Sequence, residues 1–189
     1  AFGVFTAAAG AILVVSMLQE SHRLAFNDEL TGLPGRRALQ EAMAGLGPHY
    51  VLAMADVDHF KSFNDTHGHD TGDQVLKLVA ARLAQVKGGG RAFRYGGEEF
   101  TVLFPDLSLE EALPQLEAIR AAVEGYRMTV RGEDRPKKKE VGEKRRGGDG
   151  PDSMPPDKIL SVTISIGGAE PAPGMAPAQV LKAADEALY

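Results

Sequence analysis

The sequence contains no cysteine and no tryptophan, and aromatic residues make up only 6% of its 189 residues. Without cysteine the chain cannot form a disulfide framework, so its fold is compatible with a reducing cytosol. It also lacks an excess of positive charge, because its net charge is −5 at pH 7. Proteins that bind long nucleic acid are usually basic, so we do not expect long nucleic acid as a partner. The hydrophobic content of 43% is that of a globular domain.

The N-terminal residues 1–18 carry no charge at all. A transmembrane helix needs about 20 apolar residues, with a range of about 17–25, and this segment just qualifies. We therefore predict that residues 1–18 form the last transmembrane helix of a longer membrane region. Two alternatives stay open. A signal peptide would have a basic start, which is missing here, and a dimerising or buried helix would fit the glycine and alanine content.

Residues 19–27 continue as a polar helix, which we interpret as a linker. Arg23, Arg36 and Arg37 follow the apolar segment, and an excess of positive charge is typical of the cytoplasmic side of a membrane. Much later in the chain, residues 132–157 are rich in charged residues, glycine and proline and have few apolar residues. Such a composition cannot bury enough apolar surface to fold, so we predict a disordered insertion there.

Between these segments the hydrophobic pattern predicts a mixed fold. Residues 50–56 are apolar up to the final aspartate, which indicates a strand buried on both faces. Residues 159–166, rich in β-branched side chains, indicate a second strong strand. Apolar residues at helical spacing predict helices between the strands, with capping boxes at Thr71–Gln74 and Ser108–Glu111. The predicted order is βααββαβ with a terminal helix, an α+β fold.

The segment from Arg94 to Phe104 indicates a β-hairpin, with Gly96 and Gly97 at the turn and free to adopt positive φ angles. Glu98 and Glu99 follow directly. Taken alone, two carboxylates at this place are typical of a solvated turn. They are also the ligands that a hard cation prefers, and glycine lets a ligand approach the backbone closely.

A second acidic segment favours the cation site. The strand at residues 50–56 ends in Asp56, and Asp58 follows two residues later, on the same face if the strand continues. Carboxylates at a strand end lie at the rim of the core. Mg²⁺ takes only one or two protein carboxylates and leaves its other positions to water and phosphates, as in two-metal phosphoryl and nucleotidyl transfer.

Residues 28–189 contain a series of motifs: Asp28-x-Leu-Thr-Gly-Leu-Pro-Gly-Arg-Arg37, Asp56-Val-Asp-His-Phe-Lys61, Phe63-Asn-Asp-Thr-His-Gly-His69, Gly72-Asp73, Arg94-Tyr-Gly-Gly-Glu-Glu-Phe100, Ser161-Val-Thr-Ile-Ser-Ile-Gly167 and Ala184-Asp-Glu-Ala-Leu-Tyr189. In content and order these motifs resemble the GGDEF-type diguanylate cyclases, in their Gly-Gly-Glu-Glu-Phe variant. The resemblance implies a palm-like fold, similar to that of adenylyl cyclases, with a central, mostly antiparallel five-stranded sheet flanked by helices. It also implies condensation of two GTP molecules to cyclic di-GMP and pyrophosphate in a homodimer with antiparallel sites, and it implies that residues 19–27 are a helical stalk.

The same resemblance implies the role of each site residue. It implies two Mg²⁺ ions per site, with Mn²⁺ as a substitute, held by Asp56, the carbonyl of Val57, Glu98 and Glu99. Glu98 and Lys61 are the implied catalytic residues, Lys61 near the triphosphate. The implied substrate-binding residues are Asn64, His69, Asp73 and Leu76 around guanine and Gly96 and Gly97 beside the ribose and α-phosphate. As a ligand of Mg²⁺, Asp58 ranks below Asp56. A zinc site is not expected, because the spacing of His59, His67 and His69 matches no usual zinc pattern.

Two departures from the family pattern change the expectations. An Arg-x-x-Asp site for product inhibition often precedes the hairpin, but Lys87 and Gly90 stand at those positions, so we predict little inhibition there. The family also continues beyond the position of Tyr189 with Lys and Arg residues that contact phosphates. We expect an enzyme attached to the bacterial inner membrane with its catalytic domain in the cytoplasm. The alternatives are a catalytically silent module that binds GTP or cyclic di-GMP and a purely structural dimerisation domain.

Overall fold

The structure, a computed structural model, describes Met17, residues 26–130 and residues 158–188. The predicted transmembrane helix at 1–18 and the insertion at 132–157 therefore lie outside the described residues, apart from Met17. The same holds for the predicted stalk at 19–27, apart from Phe26 and Asn27. Among the residues that are described, no helix is both long enough and apolar enough to cross a membrane.

The described ranges contain five helices and six strands. The helices are α1 (Arg36–Ala44), α2 (Phe60–His67), α3 (His69–Leu83), α4 (Leu109–Glu124) and α5 (Pro177–Glu186). The strands are β1 (Tyr50–Val57), β2 (Arg91–Arg94), β3 (Glu99–Pro105), β4 (Met128–Val130), β5 (Lys158–Leu160) and β6 (Ile164–Ala169).

The main sheet has four strands in the order β2-β3-β1-β6, and every pair of neighbours is antiparallel. The α+β class with a mostly antiparallel sheet is confirmed. The prediction of five strands in one sheet is wrong for the described residues, because β4 and β5 pair with each other in a separate two-stranded sheet.

The predicted strand at 159–166 is divided in two. Leu160 pairs with Met128 of β4, whereas Ile164 pairs with Val57 of β1. The chain therefore changes its partner strand between Leu160 and Ile164. A run of β-branched residues indicates a strand but does not indicate its partner, and for that reason the sequence pattern concealed the break. The second strand then continues through the glycine pair to Ala169.

Helices cover both faces of the main sheet. Side chains of β1 alternate between two core clusters, Val51 and Ala53 on one face and Leu52 and Met54 on the other. Helices α3 and α4 pack on the first face, and α1 and α5 pack on the second. This alternation follows from the period of two along a strand, and it confirms the prediction that β1 is buried on both faces.

The contact between α5 and the sheet is made by backbone rather than by side chains at Gly167 of β6. A Cβ atom there would lie 2.3 Å from the carbonyl oxygen of Ala184 and 2.6 Å from the amide nitrogen of Leu188. Glycine is required at this point because the end of α5 approaches the strand too closely for any side chain.

One of the two predicted capping boxes is present. The Ser108 hydroxyl accepts a hydrogen bond from the amide of Glu111, and the Glu111 carboxylate accepts one from the amide of Ser108. The box predicted at Thr71–Gln74 is wrong. Helix α3 begins at His69 after Gly68, whose φ of 79° lets the chain turn directly from α2 into α3, so Thr71 already lies inside the helix.

Candidate active site

The centre of the candidate site is the end of β1. Asp56 lies opposite Glu99 of β3 and opposite Ser165 of β6 in the antiparallel pairing. Its side chain is half-buried. The sheet therefore brings Asp56 of β1 and Glu99 of β3 to one rim of the core.

The Gly-Gly turn between β2 and β3 is held by backbone contacts and by one arginine. The amides of Tyr95 and Gly96 both donate to the carbonyl of Glu99, at 2.9 and 3.2 Å. The Arg94 guanidinium donates to the carbonyl of Gly96 at 3.3 Å and to that of Gly97 at 2.8 Å. The arginine thus fixes the backbone of the turn from one side.

The positive φ angles predicted for the two glycines of the turn are not observed. Neither Gly96 nor Gly97 adopts a positive φ angle. Instead, a Cβ atom on Gly96 would lie 2.7 Å from Oε2 of Glu99, whereas a Cβ on Gly97 would meet nothing within 4 Å. Gly96 is needed to accommodate the Glu99 carboxylate, and Gly97 borders open space.

Behind the turn, Arg94 forms an ion pair with a residue 66 positions earlier in the chain. Its Nη1 donates to Oδ1 of Asp28 at 2.7 Å. The same oxygen accepts from the amide and the hydroxyl of Thr31, at 2.8 and 2.7 Å. Burial alone would raise the pKa of Asp28, but the hydrogen bonds from Thr31 and Arg94 outweigh it and lower the pKa below the usual value. Sequence reasoning gave these residues no role.

The electrostatic environment of Asp56 is the opposite of that of Asp28. Burial, together with the negative charges of Glu98, Glu99, Asp58 and Asp185, raises the pKa of the Asp56 carboxyl to about 6. Acidic charges that repel one another at the rim of a core form a site that a cation would stabilise.

The donor set at this rim fits Mg²⁺. Among the described residues, no three histidine, cysteine, aspartate or glutamate side chains converge closely enough to form a metal-binding group by themselves. Mg²⁺ does not need such a group, because one or two carboxylates and a carbonyl oxygen suffice when water and phosphates complete the octahedron. Asp56, Glu98 and the carbonyl of Val57 are oxygen donors of this kind.

Asp58 is turned away from this role by contacts with β6. Its carboxylate accepts hydrogen bonds from the hydroxyls of Thr163 and Ser165, and its amide donates to the carbonyl of Thr163. These bonds join the end of β1 to the beginning of β6. They explain why the second acid of Asp-x-Asp has a structural role although the spacing places it on the face of Asp56.

The predicted guanine-binding residues lie on α2 and α3. Asn64 is half-buried on α2, and its Oδ1 is buried without a hydrogen-bond partner in the described residues. Asp73 and His69 are exposed on α3, and Lys61 is exposed on α2. Leu76 is only 4% exposed and belongs to the hydrophobic core. The structure thus places these residues on two consecutive helices, with Leu76 in the core beneath the exposed positions.

Comparison with known proteins identifies the family. The family model for the diguanylate cyclase GGDEF domain matches residues 25–142. The response regulator PleD of Caulobacter vibrioides is 40% identical over 181 residues, which are 91% of this chain and 35% of PleD. The diguanylate cyclase VdcA of Vibrio cholerae is 35% identical over 187 residues, which are 95% of this chain and 49% of VdcA. The chain therefore belongs to the GGDEF diguanylate cyclase family, and it spans half or less of the length of these relatives.

Solved structures give the same fold. The coiled coil and GGDEF domain of DgcB from Caulobacter crescentus, in complex with c-di-GMP, matches with a TM-score of 0.76 and 31% identity over 98% of this chain and 90% of that one. The diguanylate cyclase SiaD of Pseudomonas aeruginosa, in complex with its activator SiaC, matches with a TM-score of 0.70 and 33% identity over 96% of this chain and 64% of that one.

Proposed function

We propose that this protein is a diguanylate cyclase that joins two GTP molecules into cyclic di-GMP. In each of two steps, a 3′-hydroxyl oxygen forms a bond to the α-phosphorus of the other GTP. The bond to pyrophosphate breaks, and the hydroxyl proton is released. The observation that carries the proposal is the half-buried Asp56, whose pKa is raised to about 6 by burial and by Glu98 and Glu99 beside a Gly-Gly turn. A carboxylate in that environment is suited to hold a cation rather than to support the fold.

The residues that would hold Mg²⁺ are Asp56, the carbonyl of Val57 and Glu98, with Glu99 at a second ion. When bound, the ions make the 3′-hydroxyl more acidic and neutralise the charge that develops on the phosphates. Mn²⁺, which also prefers oxygen ligands, would serve as a substitute. Glu99 lies against Gly96, so its carboxylate is oriented by the same turn that carries Glu98.

Substrate recognition would come from α2 and α3. A carboxylate such as Asp73 can accept hydrogen bonds from N1–H and N2–H of guanine, and the carboxamide of Asn64 can pair with the rest of the base edge. His69 would line the same pocket, and Leu76 would support the purine from the core.

The phosphates and the ribose would be contacted by other residues. The exposed Lys61 would offset phosphate charge, and Gly96 and Gly97 would leave space for the ribose and α-phosphate.

The reaction requires two domains that face each other. One domain holds one GTP, and the 3′-hydroxyl of each GTP must reach the α-phosphorus of the other. A homodimer with antiparallel sites satisfies this requirement. We further propose that residues 1–18, which carry no charge, attach the protein to the bacterial inner membrane with the catalytic domain in the cytoplasm.

Inhibition by product at the Arg-x-x-Asp position is not expected. Gly90 stands where that pattern has aspartate, and a Cβ atom there would lie 2.7 Å from Cε1 of Phe104 and 2.8 Å from Cγ2 of Val86. Because Phe104 is fully buried, an aspartate at position 90 would need the core to repack. The packing thus supports the prediction made from the sequence.

The test is product analysis with purified protein, GTP and Mg²⁺, in parallel with Glu98→Ala and Glu110→Ala. Glu110 is an exposed acid on α4 and serves as the matched control. We expect cyclic di-GMP from the natural protein and from the Glu110 variant, and none from the Glu98 variant. If GTP binds but no product forms at high protein concentration, the protein is instead a silent binding module.

A further inference from the structure

Asn64 and Gly72 share an unusual contact where α2 and α3 lie side by side. Oδ1 of Asn64 is buried and has no hydrogen-bond partner within the described part of the chain. It lies directly against Gly72, since a Cβ atom on Gly72 would be only 1.9 Å from Oδ1 and 2.9 Å from Cγ of Asn64. The carboxamide thus occupies the space that a side chain at position 72 would need.

Neither partner of this contact favours the stability of the fold. A buried acceptor without a hydrogen bond is unfavourable, and glycine inside a helix is less favourable than alanine. Gly72 is buried within α3 and its φ angle is not positive, so its backbone would accept alanine. The space taken by the Asn64 carboxamide, rather than the backbone, accounts for glycine here. Residues that lower the stability of the fold are typical of functional sites.

If position 72 carried a side chain, the carboxamide of Asn64 is the group that would have to move. The nearest other atom to a Cβ at position 72 is Cζ of Phe60, at 3.2 Å, and Phe60 is held in the core with 7% exposure. The connecting residue Gly68 is bonded to both helices, because its amide donates to the carbonyl of Asn64 at 2.8 Å and its carbonyl accepts from the amide of Gly72 at 3.1 Å. A side chain at position 72 would therefore displace the carboxamide.

We propose that Gly72 is a positioning residue that sets the orientation of the Asn64 carboxamide and thereby the selectivity for guanine. Gly72 lets the carboxamide lie against α3, at the position just before Asp73. The side chains of Asn64 and Asp73 can then contact the same guanine base. The inference rests on the proposed function, in which Asn64 contacts guanine.

A double-mutant cycle tests the proposal. Gly72→Ala, Asn64→Ala and the double variant are assayed for kcat and KM with GTP and with ITP, which lacks the 2-amino group of guanine. We expect Gly72→Ala to raise KM for GTP about tenfold, the effect of losing one good contact to a base edge, and to change kcat little. The KM for ITP should rise by a similar factor, because ITP keeps the part of the base edge assigned to Asn64 and lacks only the 2-amino group assigned to Asp73. In the Asn64→Ala background, Gly72→Ala should have no further effect.

Thermal unfolding of the same proteins gives a readout that does not depend on activity. Without the carboxamide, alanine at position 72 no longer meets Oδ1, so the double variant should unfold at a higher temperature than Asn64→Ala alone. If Gly72→Ala does not fold, the second substitution should restore folding. Gly47→Ala is the control, because a Cβ atom there meets nothing within 4 Å.

The outcomes separate the inference from the proposed function. If Asn64→Ala raises KM for GTP and Gly72→Ala does not, the inference is wrong and the guanine contact stands. Additive effects of the two substitutions, or failure of Asn64→Ala to rescue an unfolded Gly72→Ala protein, would also overturn it. If Asn64→Ala itself leaves KM unchanged, the guanine contact assigned to Asn64 fails, and the inference fails with it.

Discussion

Asp28 and Asp56 are two half-buried aspartates near the same Gly-Gly turn, and their environments are opposite. Asp28 accepts hydrogen bonds from Thr31 and forms an ion pair with Arg94, and its pKa is lowered despite its burial. Asp56 has no cationic partner among the described residues and is surrounded by other acids, and burial with their repulsion raises its pKa to about 6. The first carboxylate stabilises the fold, whereas the second is kept at the expense of stability, which is typical of a functional group.

The largest effect that separates the two aspartates is expected from Asp56→Asn. Loss of a metal ligand should reduce formation of cyclic di-GMP by at least about 100-fold. Without Mg²⁺, the same variant should unfold at a higher temperature than the natural protein, because the amide removes a destabilised charge. Activity and thermal unfolding are measured on the same samples. A variant that is both active and less stable would contradict the assignment.

On the other side of the turn, Arg94→Ala should lower the free energy of unfolding by about 2 kcal/mol. Asp28 and the carbonyls of Gly96 and Gly97 would lose their partner. The effect stays below the ~3–5 kcal/mol of a fully buried pair, because 14% of the Arg94 side chain and 26% of the Asp28 side chain remain exposed. Urea unfolding measures the change.

Arg91→Ala is the matched control for this experiment. Arg91 is an exposed residue of the same strand, and its guanidinium carbon lies 5.4 Å from the centroid of the Phe93 ring. Such a contact contributes about 0.5–1 kcal/mol at exposed sites. Equal losses in the two variants would mean that the ion pair with Asp28 contributes nothing specific.

A smaller effect on stability is expected from Asp58→Asn. This variant compares the roles of the two acids in the Asp-x-Asp pair. The amide loses one acceptor oxygen for the hydroxyls of Thr163 and Ser165, so stability should fall by about 1 kcal/mol. The Mg²⁺ concentration that gives half-maximal activity should stay unchanged, because we propose that Asp58 bonds to Thr163 and Ser165 rather than to the metal. A large increase in that concentration would show instead that Asp58 holds the metal.

The dependence of stability on pH gives a further comparison, because the two aspartates have opposite signs. The pKa of Asp28 in the folded protein lies below 3.8, so its contribution is complete above that pH and is lost on further acidification. The pKa of Asp56 is raised from 3.8 to about 6, so without metal its contribution to stability falls as the pH rises between these values.

Thermal unfolding between pH 3 and pH 7, in the absence of Mg²⁺, compares the natural protein with Asp28→Asn and Asp56→Asn. The difference between the natural protein and the Asp28 variant should shrink as the pH falls below 3.8. The gain from Asp56→Asn should grow as the pH approaches about 6. Parallel curves for all three proteins would mean that neither carboxyl is perturbed.

The sequence predicted those features that depend on local patterns. The apolar residues of β1 indicated a strand buried on both faces, and the acid at its end indicated the rim where Asp56 lies. The Ser108 capping box was predicted because its two partners are three residues apart. These inferences need only the neighbours of a residue in the chain.

Features that depend on distant partners were not predicted. The bond between Arg94 and Asp28 joins residues 66 positions apart, and nothing in either segment specifies the other. The exchange of partner strands between Leu160 and Ile164 is decided by which edge each segment meets. The role of Gly72 depends on a side chain of another helix, although its place directly before Asp73 was a signal that could have drawn attention to it.

Gly167 has a mechanical consequence. Because no side chain separates the end of α5 from β6, the joint between them contains no deformable layer. Gly167 also pairs with Met54 of β1, two residues before Asp56. A displacement at the end of α5 would therefore reach β6, and through its pairing β1, by direct backbone contact at this point rather than through an intervening side chain.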